Sequence, residues 1–260
     1  MLRTVRATRY VTPFREGGSL PALVEADDLG LYVVKFRGAG QGPLALVAEI
    51  VAGEIGRALG LSVPELVLVE VDAALGRNEP DYEIRELLRA SPGLNVGIDF
   101  LPGSVMFDRA AGDSTRPEFA SATVCFDAFV TNPDRTARNP NILWWHKQAY
   151  LIDHGAALYF HHDWKDVAAR ARSRFAPVRE HVLLPWAADL EEAGAGLRAK
   201  LNETVFREVL AAVPDDWLLP EPGIDTPAAK RAAYVEYLAS RLAAAGEFVE
   251  EAIRARATLV

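Results

Sequence analysis

A predicted β-hairpin with polar residues on both sides constrains the fold of this chain more than any other feature. Residues 142–145 (ILWW) and 149–152 (AYLI) are apolar and β-prone, and the three residues between them are polar. A hairpin brings the loop before it and the loop after it to the same end. We therefore expect Asn139 and Asp153 to lie close together, although fourteen positions separate them in the chain.

Asp134, Asn139 and Asp153 are the residue types that phosphoryl transfer requires. An Asp followed five positions later by an Asn, with a second Asp beyond, is the spacing with which kinases set a catalytic carboxylate beside two magnesium ligands. Asp134 would accept or orient the proton of an attacking hydroxyl, while Asn139 and Asp153 offer hard oxygen ligands for Mg²⁺. Asp and Asn also cap turns, so the prediction rests on the whole constellation.

A lysine on a predicted strand supplies the expected phosphate contact. Residues 31–36 (LYVVKF) carry Lys35 within an apolar run, comparable to the Val-Ala-Ile-Lys strand of protein kinases. We expect its ammonium to contact the phosphates of a nucleotide. The alternative is a lysine at a strand edge with its ammonium in water.

A predicted helix over residues 44–59, ended by Gly60, follows this strand and carries two glutamates. Kinases pair the strand lysine with a helix glutamate. We favour Glu49 over Glu54 because Glu49 lies near the start of the helix. The alternative is that both glutamates face solvent.

Two further segments are candidates for nucleotide contact. Gly17, Gly18 and Ser19 lie between two predicted strands, residues 5–11 and 20–25, where backbone N–H groups can face phosphate oxygens. An ordinary hairpin turn explains these residues equally well. Residues 95–103 are predicted to form a strand and a connector. In a kinase-like fold the backbone of the connector would hydrogen-bond adenine, which makes Phe100 and Leu101 candidates, although an ordinary strand end has the same pattern.

Taken in order, these parts resemble the HipA-like kinases, an atypical bacterial branch of the protein-kinase-like fold. The resemblance runs from about Phe14 to Gly155 and is carried by YVVKF at 32–36, LGLSVP at 59–64 and DRTARN at 134–139. It implies an α+β, bilobal protein-kinase-like fold. Residues 1–101 would form a small β-rich N-terminal nucleotide-binding lobe with one helix, and residues 102–260 a larger, mostly helical catalytic lobe.

The resemblance also implies an activity, namely a serine/threonine kinase that uses ATP and Mg²⁺. Lys35 would contact the phosphates, Asp134 would be the catalytic aspartate, and Asn139 and Asp153 would be the metal ligands. Two positions depart from the family pattern. Thr136 stands where members often have His, and His154 gives Asp-His-Gly instead of Asp-Phe-Gly. Neither change removes a metal ligand.

Two other functions are compatible with these residues. A small-molecule phosphotransferase of the aminoglycoside-kinase type shares the Asp-to-Asn spacing, but usually has His-Gly-Asp where this chain has Asn132-Pro133-Asp134. A nucleotide-binding pseudokinase that acts as a regulator is the other, and the complete set of catalytic residue types argues against it. The sequence does not identify the phosphoacceptor, whether protein or small molecule.

The charge and cysteine content limit the kinds of partner that this protein can bind. The formal net charge of −8 argues against direct nucleic-acid binding or an anionic membrane surface, since both reward clustered Lys and Arg. Cys125 is the single cysteine, which excludes an intrachain disulfide framework, and we expect it to be buried. Because no apolar stretch reaches the length of a membrane helix, we expect a cytoplasmic protein with no membrane partner.

The chain past the predicted hairpin reads as mostly helical. Helical patterns cover residues 190–213 and 226–257, and a further helix over 119–130 should pack behind the Asp134 loop. The run His161-His162-Asp163 lacks a third evident ligand for a metal, so we expect it at the surface or in a loop.

Overall fold

A closed five-stranded barrel forms the first part of the molecule. The structure is a computed structural model that describes residues 2–14, 20–77 and 79–259. The barrel has the order β1-β2-β3-β5-β4 and closes between β4 and β1. Its strands are β1 (Arg3–Pro13), β2 (Ala22–Ala26), β3 (Leu31–Lys35), β4 (Leu66–Val71) and β5 (Gly93–Asp99).

Apolar side chains at alternate positions of the strands fill the interior of this barrel. Along β2, Ala22, Val24 and Ala26 are buried while the residues between them are half-buried, as a period of two requires. β1 pairs with β4 in parallel, and the other four neighbouring pairs are antiparallel. Because β3 is hydrogen-bonded to β2 on one side and β5 on the other, Lys35 lies in an interior strand.

Helix α1 (Gly42–Ala58) packs between the barrel and the helices that follow, as its apolar residues predict. Pro43 sits in its first turn, where a missing N–H costs nothing, and Gly60 follows its end with a φ of +84°. The packing is close. A Cβ at Gly53 would lie 2.7 Å from Leu66 Cδ1, and a Cβ at Gly56 would lie 3.4 Å from Phe126 Cζ.

The predicted hairpin is present. Strands β7 (Ile142–Trp145) and β8 (Gln148–Leu151) pair antiparallel, and the short strand β6 (Val105–Met106) adds to the β7 edge. The two turn residues, His146 and Lys147, have φ values of 49° and 65°. Positive φ at both positions is the geometry of a type I′ turn, whose twist matches that of paired strands.

Helices supply most of the remaining chain. They are α2 (Tyr82–Arg89), α3 (Pro117–Val130), α4 (Val167–Ala171), α5 (Leu190–Lys200), α6 (Glu203–Leu210), α7 (Pro227–Ala243) and α8 (Ala245–Ala257). α3 is the helix predicted at residues 119–130. Buried apolar residues of α1, α3 and α5 to α8 form one continuous core, while the barrel interior forms a second, smaller one.

Both long helical patterns are divided in two, which corrects the sequence prediction. Between α5 and α6, Leu201 is extended and buried, and the Asn202 side chain accepts hydrogen bonds from the N–H groups of Thr204 and Val205. Such an N-cap stabilises a new helix start by about 1 kcal/mol. Between α7 and α8 the chain turns at Ala244, which lets α8 pack on α3 and α5.

The burial of Cys125 and of His161 can be compared with the sequence predictions. Cys125 is buried as expected, and burial raises the pKa of its thiol to about 12. His161, expected at the surface or in a loop, is instead fully buried, with Nδ1 2.9 Å from Tyr234 Oη. Burial among aromatic rings lowers the pKa of His161 to about 3, so this imidazole is neutral.

The described residues lack two features, a membrane-spanning helix and a preformed metal cluster. None of their helices combines the length and apolar character needed to cross a bilayer. Nor do they contain a cluster of three or more His, Cys, Asp or Glu side chains able to hold a metal ion without help from a ligand.

Candidate active site

Lys35 is buried between two carboxylates at the end of β3. Its Nζ lies 2.5 Å from Glu49 Oε2 and 2.5 Å from Asp153 Oδ1, and the residue is 8% exposed. A strand-edge lysine with its ammonium in water is therefore excluded. Burial alone would lower the pKa of Lys35, but the two carboxylates hold it above its ordinary value. The ammonium is charged at any physiological pH.

Glu49, as expected, is the helix glutamate that pairs with Lys35. Glu49 is 1% exposed, whereas Glu54 lies on another face of α1 and pairs with Arg57 at 3.3 Å. Burial would raise the pKa of Glu49. The Lys35 charge and hydrogen bonds from His154 instead lower it to about 2. The pair is thus ionised on both sides.

His154, the residue that departs from Asp-Phe-Gly, is part of this buried group. Its backbone N–H donates to Glu49 Oε2 at 2.9 Å, and its Nδ1 lies 3.4 Å from Glu49 Oε1. The imidazole is fully buried and packs edge-on against Phe126 of α3. The sequence identified His154 only as a departure, but its backbone and ring hold Glu49 and the Asp153 loop together.

Asp134 and Asn139 face each other across a short loop. Asn139 Nδ2 donates to Asp134 Oδ2 at 2.8 Å, and Asn141 Nδ2 donates to the same oxygen at 3.2 Å. The loop is closed by two more hydrogen bonds. Thr136 N–H donates to Asn139 O at 3.0 Å, and Asn139 N–H donates to Thr136 Oγ1 at 3.2 Å. The Thr136 hydroxyl therefore shapes this loop.

The loop before the hairpin carries Asp134, and the loop after it carries Asp153. The hairpin brings this Asp134 loop and this Asp153 loop to one end, as expected. Ile142 pairs with Leu151, and one step further Ile152 N–H donates to Asn141 O at 3.0 Å. Asp153 then leaves the strand with a φ of 55°, in the left-handed region that Asp tolerates better than most residues. Its side chain is 45% exposed, so one face of the carboxylate is open to solvent.

The remaining candidates lie elsewhere or outside the described residues. Gly17, Gly18 and Ser19 are outside the described residues. Phe100 N–H donates to Leu31 O at 3.0 Å, which places Phe100 at the opposite end of β3 from Lys35, about 13 Å away at the usual rise of a strand. Leu101 is buried, and its carbonyl accepts from Ser104 N–H.

Sequence reasoning missed a second buried ion pair beneath the site. Arg135 Nε donates to Asp127 Oδ2 at 2.6 Å, and both side chains have no exposed surface. Burial would raise the pKa of Asp127, but Arg135 and His181 lower it to about 2. The available signal was the Asp134-Arg135 dipeptide, which carries no information about a partner on α3.

The two depressed carboxylate pKa values predict acid sensitivity. Glu49 and Asp127 have folded-state pKa values of about 2, below those of an unfolded chain, so their stabilisation is complete above about pH 5 and is lost as the pH falls toward 2. We expect the urea midpoint to fall steeply between pH 5 and 2.5. Glu49→Gln should flatten this decline, whereas exposed Glu250→Gln should not; a decline identical in all three proteins would contradict the assignment.

Comparison with known proteins identifies the family and the fold of this chain. A model of the HipA-like kinase family matches residues 8–250. The fold is similar to that of the Helicobacter pylori proinflammatory kinase CtkA, at 14% identity and a TM-score of 0.55, covering 100% of this chain and 99% of that chain. The Golgi casein kinase with Mn/ADP bound is 11% identical, with a TM-score of 0.47 over 96% of this chain and 73% of that chain. No curated protein matches the sequence.

Similarity to CtkA over the full length of both chains defines a protein-kinase-like fold of mixed helices and strands. The chain belongs to the HipA-like kinase family. It is a kinase, that is, a phosphotransferase. The family match extends well past Gly155, where the sequence resemblance was limited to general helical character.

Proposed function

We propose that this kinase transfers the γ-phosphoryl group of ATP to a hydroxyl group, in a reaction that depends on Mg²⁺. The observation that carries the proposal is the position of Lys35 Nζ, 2.5 Å from both Glu49 and Asp153, at the end of the hairpin where Asn139 holds Asp134. A buried cation beside two loops rich in oxygen ligands suits a triphosphate with its divalent ion.

The side chains present fit a magnesium ion. An ionised carboxylate only accepts hydrogen bonds, so the amide nitrogen of Asn139 is the atom that faces Asp134. The amide oxygen of Asn139 therefore points away from Asp134. Asp153 is 45% exposed and contacts Lys35 through Oδ1. One amide oxygen and one carboxylate make an incomplete cage, which is how proteins hold Mg²⁺ that also binds substrate phosphates. When bound, Mg²⁺ neutralises charge on those phosphates.

Each protein group has a defined task in this proposal. Asp134 accepts the proton of the attacking hydroxyl, and the two amides on its Oδ2 fix the direction of the carboxylate. Lys35 turns from Asp153 toward a phosphate oxygen, while Glu49 keeps its ammonium in place. Positioning and charge are the main protein contributions to phosphoryl transfer.

We assign these tasks to two lobes. Residues 1–101 carry Lys35 and Glu49 and would bind the nucleotide, with Phe100 and Leu101 near the adenine and Gly17, Gly18 and Ser19 near the phosphates. Residues 102–260 carry the aspartates and Asn139. The separation of Phe100 from Lys35 along β3 suits an elongated ligand that contacts both.

We propose a serine or threonine of a protein as the phosphoacceptor. Three residues around Asp134, namely Pro133, Ala137 and Arg138, are exposed, so the loop is open to a side chain presented by another macromolecule. Separation by size of the products labelled from [γ-³²P]ATP tests this assignment, since a labelled small molecule would contradict it. A cytoplasmic location stays a prediction from the sequence.

The magnesium assignment predicts the behaviour of Asp153→Asn. In the wild-type protein, Mg²⁺ should strengthen ATP binding at least about tenfold, and the substitution should abolish this gain because it removes the charged ligand. Titration calorimetry with and without Mg²⁺ measures both affinities. Asp163→Asn is a matched control, because the Asp163 side chain is 46% exposed and also pairs with a basic residue, Arg170. A magnesium effect that survives Asp153→Asn would contradict the assignment.

A further inference from the structure

Beneath the site, three polar side chains form a buried network in which Asp127 is the common acceptor. Asp127, Arg135 and His181 are 0%, 1% and 6% exposed. Asp127 accepts from Arg135 Nε at 2.6 Å and from His181 Nε2 at 2.9 Å, both at Oδ2. A buried carboxylate is tolerated only when its oxygens are satisfied in this way.

The protonation of His181 follows from its second contact. The backbone N–H of Leu183 donates to His181 Nδ1 at 3.0 Å, so Nδ1 is the acceptor nitrogen and the proton lies on Nε2, facing Asp127. His181 is therefore a neutral donor of fixed orientation. Its segment is also joined to the Asp134 loop, because Val182 N–H donates to Arg135 O at 3.0 Å.

From Asp127, one arm of the network reaches the Asp134 loop. Asn132 Nδ2 donates to Asp127 Oδ1 at 3.2 Å, and the opposite atom of the same amide, Oδ1, accepts from the backbone N–H of Asp134 at 3.1 Å. The amide of Asn132 thus connects the buried carboxylate to the backbone of the proposed catalytic residue.

The other arm reaches the residue before Asp153. Arg135 Nη1 donates to the carbonyl of Asn141, which follows the Asp134 loop, and to the carbonyl of Ile152 at 3.3 Å. One rigid, planar guanidinium therefore contacts the residue before the hairpin, the residue after it, and Asp127. A lysine could replace the charge but not this set of directions.

We propose that Asp127, Arg135 and His181 are positioning residues that fix the distance between the Asp134 loop and the Asp153 loop. All three are buried, so they would not contact the nucleotide or the acceptor directly. Because phosphoryl transfer is sensitive to misplacement of about 1 Å, a change in this network should lower kcat more than it changes nucleotide binding. This inference rests on the proposed function of Asp134 and Asp153.

Arg135→Lys tests the proposal, with Arg241→Lys as the matched control. Arg241 is equally buried and donates to the carbonyls of Phe129, Ala171 and Ser173, but to neither loop of the site. The readout is ADP release from Mg²⁺·ATP per folded molecule. We expect Arg135→Lys to lower kcat about 10- to 100-fold with the KM for ATP within about threefold, and Arg241→Lys to lower only the melting temperature.

Equal kcat values for the folded fractions of wild type and Arg135→Lys would overturn the proposal and indicate a purely structural role. Asp134→Ala in the same assay separates this failure from failure of the proposed function. Turnover that survives Asp134→Ala contradicts the proposed function. Turnover lost in Asp134→Ala but unchanged in Arg135→Lys overturns the positioning role alone.

A pair of His181 variants gives an answer even if Arg135→Lys does not fold. The Gln amide nitrogen can replace Nε2 as the donor to Asp127, while Asn reaches only the Nδ1 position near Leu183 N–H. We expect kcat to fall less than about threefold in His181→Gln and about tenfold or more in His181→Asn. Equal kcat values in the two variants would overturn the role of His181 as a donor to Asp127.

Discussion

In Asp134→Ala, kcat for phosphoryl transfer is expected to fall by about 10³-fold, while ATP binding stays within about threefold of wild type. A positioned general base contributes roughly 10²- to 10⁴-fold to the rate of a reaction. Asp134 is held by the side chains of Asn139 and Asn141, whereas the ammonium of Lys35 contacts Glu49 and Asp153. Removal of Asp134 should therefore affect chemistry far more than nucleotide affinity.

Two further variants make the Asp134 result specific. Asp134→Asn keeps the size of the side chain and should lose activity to a similar extent, which excludes a cavity as the cause. Asp72→Ala removes another aspartate whose carboxylate accepts a hydrogen bond in a loop, at 2.7 Å from Ala74 N, and should leave kcat unchanged. Wild-type turnover in Asp134→Ala would refute the assignment of the base. Measurements of kcat, KM and ATP affinity on each variant decide between these outcomes.

The second large effect is expected in Lys35→Met, which should lose both phosphoryl transfer and stability. The substitution leaves Glu49, 1% exposed, without its cation. Removing one partner of a buried ion pair costs about 3–5 kcal/mol, because the other charge stays buried and uncompensated. For a chain of this size, the melting temperature should fall by roughly 10 °C. Thermal unfolding at pH 7, followed by circular dichroism, measures the shift.

The double variant Lys35→Met with Glu49→Gln identifies the cause of that instability. Removing the unpaired charge should recover a large part of the lost stability without restoring phosphoryl transfer. Lys200→Met is the control for the loss of a lysine, because Lys200 is exposed and donates to the carbonyl of Leu59. A melting temperature for Lys35→Met equal to that of the wild type would show that the buried pair contributes little to stability.

Local sequence patterns were sufficient to predict the part of the site that depends on neighbours in the chain. Alternating and apolar runs predicted β3 and the hairpin, and a helical period predicted α1, so the positions of Lys35, Glu49 and the two loops followed from short-range preferences. The same patterns failed at the two breaks within the C-terminal helical runs. The α5–α6 and α7–α8 breaks depend on a cap at Asn202 and on packing of α8 against α3, which an Ala- and Leu-rich run does not reveal.

The contacts that hold the site together are between residues far apart in the chain. His154 and Glu49 are separated by 105 positions, and His181 and Asp127 by 54. A histidine or an aspartate in isolation is compatible with an exposed position, as the expectation for His161 illustrates. Asp127, Arg135 and His181 come into contact, and are buried away from water, only in the folded protein.

The order of residues along this chain was thus enough to predict the strand of Lys35, helix α1 and the hairpin, the residue types of the site and its resemblance to a kinase family, because strands, turns and helices follow preferences that act over a few positions. The burial of individual side chains could not be predicted in this way, because it arises when the barrel, α1 and the C-terminal helices pack around the hairpin. That packing determines which charged groups lose their water and must form ion pairs. The pKa values of Glu49 and Asp127, and the hydrogen bonds that join the loops of Asp134 and Asp153 to Asp127 and Arg135, are therefore properties of the assembled core.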